Sequence, residues 1–103
     1  MTTVTISEIL DDLRAADEIT RRYERRYWLS SADFYELYRQ GLLDDGERLE
    51  DFTLWAGFYE IKLDREKDLQ KLSQIRMRHL REQVQLGSAQ IAPLEPALEL
   101  VSA

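Results

Sequence analysis

The sequence predicts an all-α protein: two shorter or medium helices and one long C-terminal helix, forming a bundle or hairpin, with a flexible C-terminal tail. Three observations carry this. Apolar residues recur at steps of three and four through both long segments, while the alternation typical of strands is absent. Glycine and proline are scarce, four and two in 103 residues. Hydroxyl side chains stand where helix caps belong. One modest core fits a chain of this length, so 1–87 is read as a single helical domain and 88–103 as the tail.

The first helix opens at Thr5, which with Glu8 has capping-box spacing. Ile6, Ile9, Leu13, Ala16, Thr20, Tyr23 and Tyr27 then mark one face of an unbroken run, 7–28. Leu29-Ser30-Ser31 interrupts it. Ser30 caps a second helix, 31–40, with Phe34, Leu37 and Tyr38 inward and Gly41 as a stop. A loop, 42–47, precedes the third helix, which starts near Glu50 or Asp51 and runs to Leu86. Leu54, Phe58, Ile61, Arg65, Leu69, Leu72, Arg76, Leu80 and Val84 share a face with an eleven-residue period, which barely drifts on a straight helix. Phe52, Trp55 and Tyr59 widen that face at its N-terminal end only. The tail carries Pro93 and Pro96, is expected to be extended or mobile when free, and is expected to add little to the core.

Thirty-odd helical residues span roughly 50 Å, whereas a compact domain of this size has a radius of gyration of about 13 Å. The distal half of the third helix therefore overhangs the body. A second copy or a partner chain is expected to cover Leu69, Leu72, Leu80 and Val84.

The formal net charge is −6, which disfavours general nucleic-acid binding. The charge alternates in blocks: −4 over 1–20, +3 over 21–29, −6 over 30–61, +3 over 62–86 and −2 beyond. Such blocks suit matching to a protein surface or to another copy of the chain. With no cysteine, disulfides, thiolate metal sites and cysteine nucleophiles are excluded together. No stretch is apolar enough to span a membrane, and a cytoplasmic location is expected.

Chemistry finds little footing. His79 stands without converging ligands, so no metal site is expected. The acidic run Asp44-Asp45-Gly46-Glu47 lacks the ligand alternation of a calcium loop. Arg21, Arg22, Arg25 and Arg26 beside Tyr23, Tyr27 and Trp28 have a nucleic-acid-binding composition. Acids flank them on both sides, and pairing with Asp33, Glu36 or the 44–51 acids is the simpler reading. Ser30–Leu42 reads as a recognition helix only poorly, since Asp33 and Glu36 stand where base readers want Arg, Asn or Gln. Arg65 and Arg76 either snorkel or anchor a partner's carboxylates. No catalytic set and no cofactor motif is evident, and no enzyme activity is expected.

The segment Tyr27-Trp28-Leu29-Ser30-Ser31-Ala32-Asp33-Phe34-Tyr35, then Tyr38, Gly41, Leu43 and Asp44, then Asp51-Phe52-Thr53-Leu54-Trp55, resembles short bacterial proteins common in cyanobacteria. These often sit in gene pairs with a small toxin and look like antitoxins that neutralise by direct contact. The resemblance covers roughly residues 23–61; many such relatives stop soon after the tryptophan segment, whereas this chain continues. It implies a protein partner, a small toxin encoded nearby. From the residues themselves, Phe34, Tyr38, Trp55 and Tyr59 of the aromatic segments and Arg65, Leu69, Leu72, Arg76, Leu80 and Val84 of the overhanging stripe are the expected partner-binding positions. A self-assembling structural or adaptor protein, homo-oligomeric through the long helix, is the alternative; a DNA-binding regulator is a weaker one.

Overall fold

The computed structural model describes residues 2–44 and 46–102, apart from the side chain of Ser102. Asp45 of the acidic loop and the first and last residues lie outside the described residues. The elements in chain order are β1 (Thr2–Thr5), α1 (Ile6–Tyr27), α2 (Ser31–Arg39), a 3₁₀ turn (Gly46–Arg48), α3 (Leu49–Gln85) and β2 (Glu99–Ser102). The protein is thus all-α with a small terminal ribbon.

Local chemistry fixes the helix ends. The Thr5 hydroxyl accepts the Glu8 N–H and the Glu8 carboxylate accepts the Thr5 N–H, closing the capping box. Ser30 caps α2 by accepting the Asp33 N–H at 3.1 Å. Trp28 ends α1 in the left-handed region, φ 56° and ψ 43°, with its N–H on the Glu24 carbonyl at 2.8 Å. A side chain there costs about 1–2 kcal/mol relative to an ordinary helical residue. Gly41, at φ 67°, turns the chain out of α2 without that cost.

α1 and α3 run antiparallel, with α2 laid against the N-terminal end of α3. Their contacts run in opposite directions along the two helices: Tyr27 meets Phe52, Tyr23 meets Trp55, Lys62 reaches Asp17, Arg65 reaches Asp12, and Ile9 packs with Leu72. α1 has 22 residues and α3 has 37, so α3 outruns its neighbour. The radius of gyration is 18.1 Å and the extents are 61 × 30 × 22 Å, far from a sphere.

Two cores result. The first is aromatic: Phe34, Phe52, Trp55 and Ala56 are buried, with Tyr23, Tyr27, Leu29, Tyr35, Tyr38 and Leu43 around them. Trp55 and Phe34 stack face to face, centroids 3.8 Å apart and planes 2° apart. The buried Trp55 Nε1–H donates to Ser31 Oγ at 2.8 Å. The second core joins Val4, Ile9 and Leu72, with Ile6, Leu13, Leu69, Ile75, Leu98 and Leu100 against it.

Three expectations need correction. The helical periodicity predicts no sheet, yet β1 and β2 pair antiparallel, Thr2 with Ser102 through Thr5 with Glu99. Likewise, the tail adds to the core after all, through Leu98 and Leu100. The ribbon places Val4 and Leu100 opposite each other on one face, and that shared apolar burial is what a two-stranded ribbon needs to persist. The eleven-residue stripe is also not the buried face near the start of α3. Leu54 and Ile61 are exposed while Phe52, Trp55 and Ala56 are buried, because α1 and α2 both pack on the aromatic side.

Glu24 ties the α1–α2 junction together, accepting the Ser31 N–H at 2.8 Å and Arg21 Nη1 at 2.8 Å. Burial pushes its pKa up, but Ser31 and Arg21 outweigh that and hold it below the ordinary glutamate value. A group so lowered stabilises the fold above its unfolded pKa, and that contribution is lost as pH falls through the folded value. Glu24→Gln is therefore expected to cost about 1 kcal/mol at pH 7, and the difference to shrink in acid, below the ordinary glutamate range. Urea titrations at neutral and acid pH check this; a difference unchanged with pH would refute it.

Candidate interaction surface

The residues singled out in the sequence divide sharply. Phe34, Trp55 and Leu72 are enclosed by the chain itself, at 1%, 0% and 0% exposure. They present no surface to a partner, and the expectation that another chain buries Leu72 is corrected: α1 and β1 do so, with the tail's Leu98 and Leu100 packed against the same cluster. Tyr38, Tyr59, Leu69 and Leu80 are half-buried, and Val84 is 54% exposed.

The two stripe arginines part ways. Arg65 is committed within the chain, Nε to Asp12 at 2.8 Å and Nη1 to Asp68 at 3.0 Å. Its head therefore anchors α3 to α1. Arg76 is half-buried and makes no ion pair among the described residues. His79 is exposed, and no group of three potential metal ligands occurs among the described residues.

The basic cluster is largely consumed. Arg21 pairs with Asp17 and Glu24, Arg22 with Glu18, and Arg26 with Asp51 at 3.2 Å. Asp51 also accepts the Tyr27 hydroxyl, and this bond, with burial, raises the Tyr27 pKa. Arg25 alone of the four makes no ion pair among the described residues. Among the described residues, the acids that neutralise the cluster come mostly from its own helix, one turn away, and only Asp51 from the 44–51 segment.

Cations of the distal α3 behave differently. Lys67, Lys71, Arg78 and Arg81 are exposed and make no ion pair among the described residues. Two of the grooves that flank this helix bear on its free face. One, about 780 Å³, runs over Leu69, Ser73, Met77 and Arg81. The other, about 470 Å³, lies between α2 and α3 and is walled by Tyr35, Arg39, Tyr59 and Leu63. Tyr35 is fixed there by its hydroxyl on Glu60 at 2.8 Å and by Arg39 over its ring.

A cluster of exposed apolar residues lies around the C-terminal end of α3 and the segment that follows it. Val84, Leu86, Ile91 and Leu94 are 54%, 92%, 80% and 78% exposed, all within eleven consecutive residues. The segment carrying them leaves α3 at one end and is tied down near its middle and at its other end. Gln90 N–H donates to Gln83 Oε1 at 3.1 Å, and Glu95 accepts the Ser7 N–H at 2.9 Å and the Ser7 hydroxyl at 2.7 Å. Those Ser7 bonds lower the Glu95 pKa, and they place a carboxylate at the positive end of α1. Sequence reasoning missed this strap. Its one local signal was an acid isolated in an apolar tail; its partner lies 88 residues earlier.

The residues carrying the sequence resemblance form one physical unit. Tyr27, Ser31, Phe34, Tyr35, Tyr38, Phe52 and Trp55 build the aromatic core and the hydrogen bond that closes it. No family model matches the sequence, and neither curated proteins nor solved structures give a match. No helix among the described residues is long and apolar enough to cross a membrane.

Proposed function

We propose that this chain is an antitoxin-like binding protein of the cytoplasm, which neutralises a small toxin by direct contact and performs no chemistry itself. The observation that carries the reading is the strapped apolar segment, where Leu86, Ile91 and Leu94 face solvent between the end of α3 and the Glu95 anchor. A contiguous exposed apolar run of this kind marks a protein contact. An extended segment already tied down in this way loses less conformational freedom on binding than a free tail would. The aromatic unit that carries the resemblance supports the family reading through the fold, by making the platform from which α3 and the strap project.

Each Leu or Ile buried at a partner gains about 1.5–3 kcal/mol. Replacing Leu86, Ile91 and Leu94 together with serine is expected to weaken the partner complex at least about a hundredfold while leaving the melting temperature within a few degrees of wild type. The assay is co-purification with the product of the adjacent gene, followed by calorimetric titration. A toxin that binds the triple variant as it binds wild type, or an adjacent product that does not bind at all, would remove the reading.

A further inference from the structure

α3 carries a second periodicity, which shares Leu80 and Val84 with the eleven-residue stripe and diverges from it over the rest of the helix. Tyr59, Leu63, Glu66, Gln70, Ser73, Met77, Leu80 and Val84 follow one another at steps of 4-3-4-3-4-3-4. That is the spacing of a coiled-coil seam. The seam is apolar at both ends and polar in the middle. Its middle is exposed at Glu66, Gln70 and Ser73, Met77 is 45% exposed, and Tyr59, Leu63 and Leu80 are half-buried. The two grooves described above lie along it, one at each half.

We propose that this seam binds a second copy of the chain, antiparallel, about a two-fold axis passing between Lys71 and Leu72. Antiparallel pairing sets Tyr59 against Val84 of the second copy, Leu63 against its Leu80, Glu66 against its Met77 and Gln70 against its Ser73. The two-fold repeats each layer. Apolar ends thus meet apolar ends, which no other antiparallel register of the same seam achieves. The distal end of the second copy enters the groove between α2 and α3, where Tyr59 and Leu63 line the wall.

Charge selects the same arrangement. In an antiparallel pair, the residue that follows each seam position on the same flank faces its equivalent in the other helix. Here that flank is Glu60, Lys67, Gln74 and Arg81. The axis brings Glu60 to Arg81 of the second copy and Lys67 to its Gln74, each twice, and creates no like-charge pair on that flank. Asp64 and Arg78, one step further out, follow the same sense. Arg78 and Arg81 make no ion pair among the described residues of the single chain, so dimerisation supplies their partners. A parallel pair would instead set Lys67 against Lys62 and Arg81 against Arg76 of the second copy, which is repulsive. The polar centre of the seam fixes register at some expense in affinity.

The test is charge exchange read by sedimentation equilibrium over a wide concentration range. Wild type is expected to dimerise. Arg81→Glu, which creates two Glu–Glu contacts, is expected to weaken the dimer about tenfold or more. Glu60→Arg combined with Arg81→Glu restores the pair with its signs reversed and is expected to recover dimerisation. Both positions are exposed, and an unchanged helical spectrum confirms folding; because Glu60 also accepts the Tyr35 hydroxyl, Glu60→Gln, which keeps an acceptor there and removes the charge, is the control for the groove wall. Orientation is read separately. The chain has no cysteine, so Gln85→Cys accepts a single spin label. The antiparallel register places the two labels about 40 Å apart at 1.5 Å per residue, whereas a parallel pair places them within about 15 Å. A wild-type chain that stays monomeric, a double variant that fails to recover, or a short label distance would each overturn the proposal. The strap variant replaces Leu86, Ile91 and Leu94 and leaves every seam residue in place, so the two readings are tested separately.

Discussion

Trp55→Ala is expected to remove about 3–5 kcal/mol of stability, on the order of half of what a chain of this length holds. Three effects act together. The indole is fully buried and stacks on Phe34, Tyr23 and Tyr27, so truncation opens a large cavity where α1, α2 and α3 meet. Aromatic pairs of this geometry add about 0.5–1.5 kcal/mol beyond their buried area. The Nε1–H to Ser31 Oγ bond is also lost, leaving a buried hydroxyl without its donor. Thermal melting should fall by on the order of 20 °C. Trp55→Phe separates the terms: it keeps an aromatic ring and loses the hydrogen bond, and should cost about 1–3 kcal/mol. If Trp55→Ala melted within a few degrees of wild type, the aromatic unit would not be the organising core, and the motif that carries the family resemblance would need another explanation.

That unit was legible in the sequence because its determinants are local or strongly patterned. Thr5 with Glu8 and Ser30 with Asp33 announce helix starts within four residues of chain, and the structure has both caps. The 3-4 rhythm of Ile9, Ala16 and Thr20 matches the side of α1 that is buried. Thr20 shows how a polar residue holds such a place: its hydroxyl donates to the Asp17 carbonyl in its own helix.

What the sequence hid was set by pairing at long range. β1 and β2 are four residues each and stand at opposite ends of the chain. Thr2-Thr3-Val4-Thr5 is β-branched throughout, a strand signal, but four residues give no periodicity to separate it from a helix lead-in. Nothing near Glu99 points back to it. The stripe on α3 misled for a different reason. A 4-3-4 pattern predicts which residues share a face, whereas which face is buried depends on how many neighbours pack there. Two helices pack near Trp55 and one near Leu72, so the buried side moves around α3 as it lengthens. The same helix therefore carries two apolar faces, one satisfied within the chain and one available for another.

Leu72→Ala decides between those faces, and is expected to cost about 2–5 kcal/mol. Leu72 is fully buried among Val4, Ile9 and their neighbours, and the second core has few other large buried side chains to compensate. The damage should be local. An isolated two-stranded ribbon is marginal in water, so β1 and β2 depend on the apolar contact of Val4 and Leu100 with the Ile9–Leu72 pair. Truncation should release the ribbon first. Backbone amides of Val4, Thr5, Leu100 and Val101 should then exchange with solvent faster than those of the aromatic unit. Urea denaturation gives the stability change, and hydrogen exchange resolved by residue gives its location. Two outcomes would sink the argument: a stability loss below about 1 kcal/mol, or equal acceleration of exchange around Trp55 and around Val4. The latter would mean that the two cores open as one. The same variant bears on the dimer, because Leu72 points away from the Tyr59–Val84 seam. Its dimerisation should stay within a few-fold of wild type at concentrations where the chain is folded, whereas a Leu72 at the interface would make assembly the first property lost.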